Sequence, residues 1–285
     1  MPMRDQIMAA YLDACRMEIE ALKPGNVHRF ADGHRMMAQQ FLESAEVTAQ
    51  PVSDPASSVG RRILDAVAAT RAAVGTNTNL GILLLCAPLA KAAETDSFDL
   101  RQSLSHVLET MDQADARDVF SAIALANPGG LGTAENDVSK PPEVPLLVAM
   151  GQAADRDMIA KQYVTVFNDI FSGGLSSYAD AMDQREQGMW PSVLVYLHFL
   201  SSFPDSHVAR KHGNEIAKAV RTEAQEVRSN VVETNGEIAR QEILLAFDRR
   251  LKARDINPGT SADLTVATLF AAKLNFILHN RRVNG

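Results

Sequence analysis

The 285-residue sequence has little cysteine, few aromatic side chains and no excess of positive charge. Its two cysteines, Cys15 and Cys86, form no CxxC pair, which argues against a disulfide framework and against a zinc site. Only 6% of the residues are aromatic, whereas unbranched Ala, Leu and Met are abundant. Such side chains lose little rotamer freedom in helices. The composition therefore predicts an all-α protein.

The 28 basic residues are outnumbered by 35 acidic ones, and no basic cluster is interleaved with aromatics. A nucleic-acid partner is therefore not expected, although a small anion needs only a local basic pocket. No apolar run reaches the ~18 residues of a membrane span, and the first residues lack the apolar run of a signal peptide. We expect a cytoplasmic enzyme without a membrane partner, and a homodimer is common in that class.

Apolar residues at three- and four-residue steps predict helices along the whole chain. The predicted helices cover residues 4–22, 37–50, 59–74, 80–93, 98–111, 115–126, 144–171, 193–203, 208–227, 236–253 and 261–278. The segment 80–93 is apolar on almost every side and should be the central helix. A breaker-rich loop over 127–142 is long enough to be functional. No repeat or linker divides the chain, so residues 1–285 are expected to form one multi-helix domain.

Polar loops that lead into apolar helices are the candidate sites, because the first turn of a helix offers unpaired N–H groups to an anion. Four polar residues, 76–79, stand between Gly75 and the predicted central helix. They could form a cradle for phosphate or ribose. The alternative is that Thr78 or Asn79 only caps the helix.

Two further loops have a similar character. Residues 257–263 contain a Pro-Gly turn, a Ser at the cap position and Asp263 in the first turn, where an acid also simply favours the helix dipole. The turn 23–29 carries two fixed cations, Lys23 and Arg29, and the titratable His28. Its charge suits a polyphosphate, and a solvated basic turn is the alternative. In either case these cations are expected to be exposed and to contribute little to stability.

A dense charged cluster follows the Phe203–Pro204 pair. Asp205 precedes His207, Arg210, Lys211 and His212, and Gly213 then breaks the pattern. Asp205 could be a helix N-cap or part of a site. The remaining histidines show no spacing typical of metal ligands.

Taken together, these motifs resemble the triphosphoribosyl-dephospho-CoA synthase family from about Leu22 to Leu274. Four blocks occur in the same order: Lys23-Pro24-Gly25 with Phe41–Ala45; Asn77–Gly81, similar to Asn-Thr-His-Lys-Gly; Asp205–Gly213, similar to Asp-Thr-Asn-x-x-His-Arg-Gly-Gly; and Pro258–Leu264, similar to Pro-Gly-Gly-Ser-Ala-Asp-Leu. The last is the nearest match. The resemblance implies a transferase that displaces adenine from ATP and joins ribose C1′ to the 2′-hydroxyl of dephospho-CoA.

The resemblance also implies roles for individual residues. Asp205 and Asp263 are the candidate catalytic carboxylates, and because ATP usually arrives with Mg²⁺, either one could instead bind that metal. We predict that both converge on one pocket with Asn77. The predicted substrate-binding residues are Lys23, Gly25, Asn26, His28, Arg29, Ser44, Asn77, Thr78, Asn79, Arg210, Lys211, Gly259 and Ser261.

The chain departs from the family blocks at several positions. Asn79 and Leu80 stand where the family pattern has His and Lys, and Lys211-His212 replaces Arg-Gly. The pattern Asn77-Thr78-Asn79, together with Asn127-Pro128-Gly129-Gly130-Leu131-Gly132, resembles a divergent subgroup associated with methanopterin-type one-carbon metabolism, which implies a related nucleotide acceptor. Two alternatives remain: a non-catalytic nucleotide-binding or assembly protein on the same scaffold, and an N-glycoside hydrolase in which water replaces the acceptor.

Overall fold

The computed structural model describes residues 1–30, 37–127 and 144–284, and every regular element in these ranges is helical. The all-α prediction is therefore confirmed. The α-helices are α1 Met3–Glu20, α2 Ala38–Val52, α3 Val59–Val74, α4 Leu80–Ala93, α5 Leu100–Thr110, α6 Gln113–Ala126, α7 Leu146–Ala153, α8 Met158–Val164, α9 Leu175–Asp183, α10 Trp190–Ser202, α11 Ser206–His212, α12 Asn214–Glu233, α13 Glu237–Ala253 and α14 Gly259–Asn284. A π-helix, Asp169–Gly174, precedes α9.

The central-helix prediction is confirmed by the burial of α4. Twelve of its 14 residues are buried, and the helix packs against α3, α5 and α14. Gly75 ends α3 in the left-handed conformation with φ of 72°, as a C-terminal glycine does. The chain is thus free to turn before α4, which places the polar residues 76–79 at the start of the most buried helix.

Two of the predicted helices are wrong because each is broken. The segment 144–171 contains α7, α8 and the π-helix, since Asp157 accepts hydrogen bonds from the first N–H groups of α8 and positive φ angles at Val166 and Phe167 then end it. The segment 208–227 is divided at Gly213, whose φ is 90°. Helix α9 is missing from the prediction. The predicted loop over 127–142 lies almost wholly outside the described residues.

Two hydrophobic cores meet at α10 and α14. One core contains α1 to α8 together with Val195 and Phe199 of α10, and the other is built mainly by α10, α12 and α13. Helix α14 contributes to both cores, with Leu264 in the first and Ala262 in the second. The first turn of α14 therefore lies where both cores can hold it.

Helix α14 is also the one described helix long and apolar enough to cross a membrane by length and composition. Its apolar window is 67% buried by the other helices. That burial is what the core helix of a globular protein shows.

Candidate functional site

The carboxylate of Asp263 lies against the start of α4. A Cβ atom built on Gly81 would stand 2.1 Å from Asp263 Oδ2, so only glycine leaves room for the carboxylate at this position. No hydrogen bond or ion pair within the described ranges uses Asp263. The structure therefore brings the block 77–81 and the block 258–264 into direct contact and leaves an acidic group between them.

The pKa of Asp263 is raised well above its usual range. Burial is the largest cause, followed by the negative charges of Glu18 and Asp205, while Arg210 and Lys23 act in the opposite direction. An acid in such surroundings holds its proton more tightly than one in water. Perturbed carboxyl groups of this kind are typical of functional sites.

Asp205 connects the starts of α11 and α14. Its Oδ1 accepts from the N–H groups of His207 (2.9 Å) and Val208 (3.1 Å), and its Oδ2 accepts from the N–H (2.7 Å) and hydroxyl (2.8 Å) of Ser261. Thr260 adds a bond from the His207 N–H at 3.1 Å. The N-cap alternative for Asp205 is thus observed, and it serves two helices instead of one.

The start of α8 joins the same junction. Ser206 Oγ accepts from the Met158 N–H at 2.9 Å, and an Arg210 Nη1 donates to Asp157 Oδ2 at 2.6 Å. The Nε of Arg210 is buried without a hydrogen-bond partner in the described part of the chain. Because each helix start carries partial positive charge, the meeting of α4, α8, α11 and α14 creates a site suited to an anion.

The polar residues before α4 make hydrogen bonds to different partners. Asn77 Oδ1 accepts from the Leu80 N–H at 3.1 Å and is the residue that caps α4. Thr78 exchanges a hydrogen bond of 2.6 Å with Ser44, and Asn79 Oδ1 accepts from Thr70 at 3.1 Å. The capping alternative named Thr78 or Asn79 and is wrong, since the side chain of Asn79 makes no cap bond.

Lys23 is not the exposed cation that the sequence predicts. Its side chain is fully buried, forms an ion pair with Glu18 and donates to Asn26 Oδ1 at 2.9 Å. Asn26 in turn donates to Asn257 Oδ1 at 2.7 Å, which joins this turn to the segment before α14. The reason is that Glu18 lies on the buried face of α1 and takes its counter-charge from the turn that follows.

Gly25 and His28 pack in the same turn around Asp248 of α13. Gly25 has φ of 82° and donates to Asp248 Oδ1 at 2.8 Å, while His28 Nε2 lies 3.3 Å from the same oxygen. Burial lowers the pKa of His28, and the hydrogen bond to Asp248 acts against this shift. Lys252 approaches Asp248 Oδ2 at 3.1 Å. His28 is therefore a buried structural neighbour of Asp248.

Two of the four predicted cations, Arg29 and Lys211, lie on the surface. Arg29 is exposed, as predicted, and stacks on Phe30 at 4.8 Å from the ring centroid. Lys211 is exposed and pairs with Asp255 at 2.7 Å, in the turn between α13 and α14. Lys23, Arg29 and Lys211 therefore do not form one basic face. Gly259 lies close to His207, because a Cβ on Gly259 would stand 2.5 Å from His207 Nδ1.

Sequence reasoning missed three charged residues that organise the site: Glu18, Asp157 and Asp248. Glu18 interrupts the apolar stripe Tyr11–Cys15–Leu22 at helical spacing, and Asp248 stands between Leu244 and Leu251 in the same way. An acid within an otherwise apolar stripe is a signal of a buried partner. Nothing in the local sequence distinguishes Asp157 from an ordinary helix N-cap residue.

The described residues contain no group of three His, Cys, Asp or Glu side chains placed to hold a metal ion. Mg²⁺ does not need one, since it is usually bound by one or two carboxylates together with substrate phosphates and water. Asp263 fits that role because its carboxylate has no hydrogen-bonding or ionic partner among the residues that the structure describes. Asp205 fits less well as a metal ligand, because each of its two carboxylate oxygens already accepts two hydrogen bonds.

Comparison with known proteins agrees with the motif resemblance. The family model of the ATP:dephospho-CoA triphosphoribosyl transferases matches residues 4–281. A crystal structure from Archaeoglobus fulgidus, provisionally assigned as a triphosphoribosyl-dephospho-CoA synthase, superposes with a TM-score of 0.63 at 25% identity, over 81% of this chain and 97% of that chain. No curated protein matches significantly. The chain belongs to the ATP:dephospho-CoA triphosphoribosyl transferase family.

Proposed function

We propose that this chain transfers the triphosphoribosyl group from ATP to a hydroxyl of dephospho-CoA or a related nucleotide acceptor, with the junction of α4, α8, α11 and α14 as its active site. The observation that carries the proposal is the contact between the unpartnered carboxylate of Asp263 and Gly81 at the start of α4. It puts an acid beside the start of a helix, where N–H groups can bind phosphate. Family membership supplies the reaction, and the geometry supplies the residues.

The triphosphate is expected to bind at the start of α4. An α-helix begins with four N–H groups that lack an intrahelical acceptor, and Asn77 pairs with one of them. Gly81 lets the Asp263 carboxylate approach that backbone closely because it has no side chain. Arg210, with its unpartnered Nε, provides a fixed positive charge. Asp263 would hold Mg²⁺, which would supply charge compensation for the triphosphate, only in the alternative in which this carboxylate is not the catalytic base.

The reaction breaks the bond between ribose C1′ and N9 of adenine, and the electron pair leaves with adenine. The acceptor oxygen forms the new bond to C1′, and its proton is transferred. We assign Asp263 as the base that takes this proton before it passes to the departing adenine. The raised pKa of Asp263 suits this role, because a stronger base is more effective when its pKa approaches the working pH.

Asp205 is assigned a positioning role. Its four hydrogen bonds fix the start of α14 relative to α11. Asp263 lies two residues after Ser261, so the position of its carboxylate depends on that attachment. The carboxylate of Asp205 itself is already satisfied and is not needed for proton transfer.

Incubation of the protein with ATP and Mg²⁺, with and without dephospho-CoA, tests the function by release of adenine. We expect release that depends on the acceptor and is lost in Asp263→Asn. Release without an acceptor would indicate the glycoside hydrolase, and no release with intact ATP binding would indicate the binding protein. Asn230→Asp, on the exposed surface of α12, serves as a control for handling and purity.

The acceptor itself needs a separate arm of the assay. Leu80 is buried with 9% of its surface exposed, so the site has no cation where the family pattern has a lysine. This departure favours an acceptor that differs from dephospho-CoA in the groups placed near α4. Comparison of kcat/KM for dephospho-CoA with other nucleotides that bear a free hydroxyl, pterin-containing ones included, would identify the preferred acceptor class.

A further inference from the structure

The side chain of Asn79 has a hydrogen-bond donor that the described part of the protein does not satisfy. Its Nδ2 is buried and lacks a hydrogen-bond partner within the described residues. The residue as a whole is only 5% exposed, so little of it can bond to water. A buried amide group without a partner destabilises the folded state, because it has lost its hydrogen bonds to water. Such a group persists in a folded protein when something else, such as a ligand, satisfies it.

Asn79 is also an N-cap residue that does not cap. It occupies the N-cap position of α4, where asparagine usually accepts a bond from the first turn, yet its side chain makes no such bond. Asn77 performs that function in its place. The hydroxyl of Thr70 instead holds the Asn79 Oδ1 at 3.1 Å, which directs the amide plane and leaves the NH₂ group unused.

We propose that Asn79 Nδ2 donates a hydrogen bond to an oxygen of the bound triphosphate. The proposal rests on the function given above. Asn79 lies two residues before Gly81 and the contact with Asp263, at the same helix start. Phosphate oxygens accept and never donate, so they match a group that can only donate. The neighbouring Thr78 is already paired with Ser44 and does not offer an equivalent donor.

Two substitutions isolate this donor. Asn79→Asp keeps the shape and the Oδ1 that accepts from Thr70, but it puts an acceptor where the NH₂ group was. Asn79→Ala removes the group without adding charge. The matched control is Asn230→Asp, which makes the same Asn-to-Asp change on the exposed surface of α12, away from the start of α4.

The measurement is the affinity of each protein for inorganic tripolyphosphate with Mg²⁺, by calorimetry, together with the rise in Tm that this ligand causes. Hydrogen bonds to charged groups predict a loss of about tenfold to a hundredfold in affinity for both Asn79 variants and no loss for Asn230→Asp. The KM for ATP should rise in the same proportion, and the KM for the acceptor should not.

Wild-type affinity in Asn79→Ala, or a loss confined to Asn79→Asp, would overturn the proposal, because only repulsion by a new charge would then be seen. A wild-type protein that releases adenine but whose Asn79 variants bind tripolyphosphate normally would leave the function standing and remove this role. If the wild-type protein neither binds tripolyphosphate nor releases adenine, the proposed function fails first and the role of Asn79 falls with it.

Discussion

Replacement of Gly81 by alanine tests the contact on which the site depends. The added Cβ would stand 2.1 Å from Asp263 Oδ2 and 2.7 Å from Ile159 Cδ1, whereas ordinary contacts begin at 3.4 Å. The carboxylate must therefore move by more than about 1 Å. A misplacement of that size in an active site costs about a hundredfold in rate.

The same substitution should leave the protein folded, because the gain of about 0.5–1 kcal/mol for alanine over glycine in a helix offsets part of the cost of crowding Ile159. The assay is adenine release with saturating ATP, together with Tm. Gly151→Ala in α7 is the matched control, since its nearest neighbour would be Val164 Cγ1 at 3.7 Å, an ordinary contact. Normal kcat in Gly81→Ala, with an unchanged Tm, would show that the position of Asp263 does not matter and would refute the reasoning.

Three other substitutions give independent tests. Lys23→Met should lower the free energy of unfolding by about 3–5 kcal/mol in urea titrations, because it leaves the buried Glu18 without its partner, and the double variant with Glu18→Gln should recover much of the loss. Asp205→Asn should destabilise by about 1–3 kcal/mol, because an amide NH₂ cannot accept both bonds from Ser261; a Tm equal to the wild type would argue against this pairing. Asp263→Asn should abolish turnover but raise Tm at neutral pH. The folded pKa of Asp263 is raised above its unfolded value, so its contribution to stability is complete below the unfolded pKa and is lost as pH rises through the folded pKa. The gain in Tm should accordingly shrink as the pH is lowered, and a gain that is independent of pH would contradict the assignment.

The spacing of apolar residues predicted helix bounds correctly where other local signals agreed with it. The bounds of α3 and α4 agree with the prediction because apolar spacing, a terminal glycine and a polar start act together there. The prediction failed over 144–171, where the side chain of Asp157 starts a new helix and the strained backbone at Val166 and Phe167 ends it. Neither feature alters the apolar pattern, so periodicity alone could not find them.

The site was predictable to the extent that polar residues precede buried helices. Local sequence identified Asp205 and Asp263, but it could not show that, within the described part of the chain, Asp205 accepts from four donors and Asp263 from none. That difference depends on which helix start lies opposite, and it is decided by tertiary packing. Lys23 was misplaced for the same reason, since the position of Glu18 in an apolar stripe indicates a buried partner but does not show that Lys23 is that partner.

A crystal structure with ATP and Mg²⁺ would show directly where the nucleotide binds. We expect triphosphate oxygens at the first turn of α4, near Gly81 and Arg210, with the Asp263 carboxylate within reach of ribose C1′ or of the metal ion. A triphosphate bound elsewhere, for example beside Arg101 and Arg282 in the groove at the start of α5, with Asp263 far from the nucleotide, would contradict this expectation.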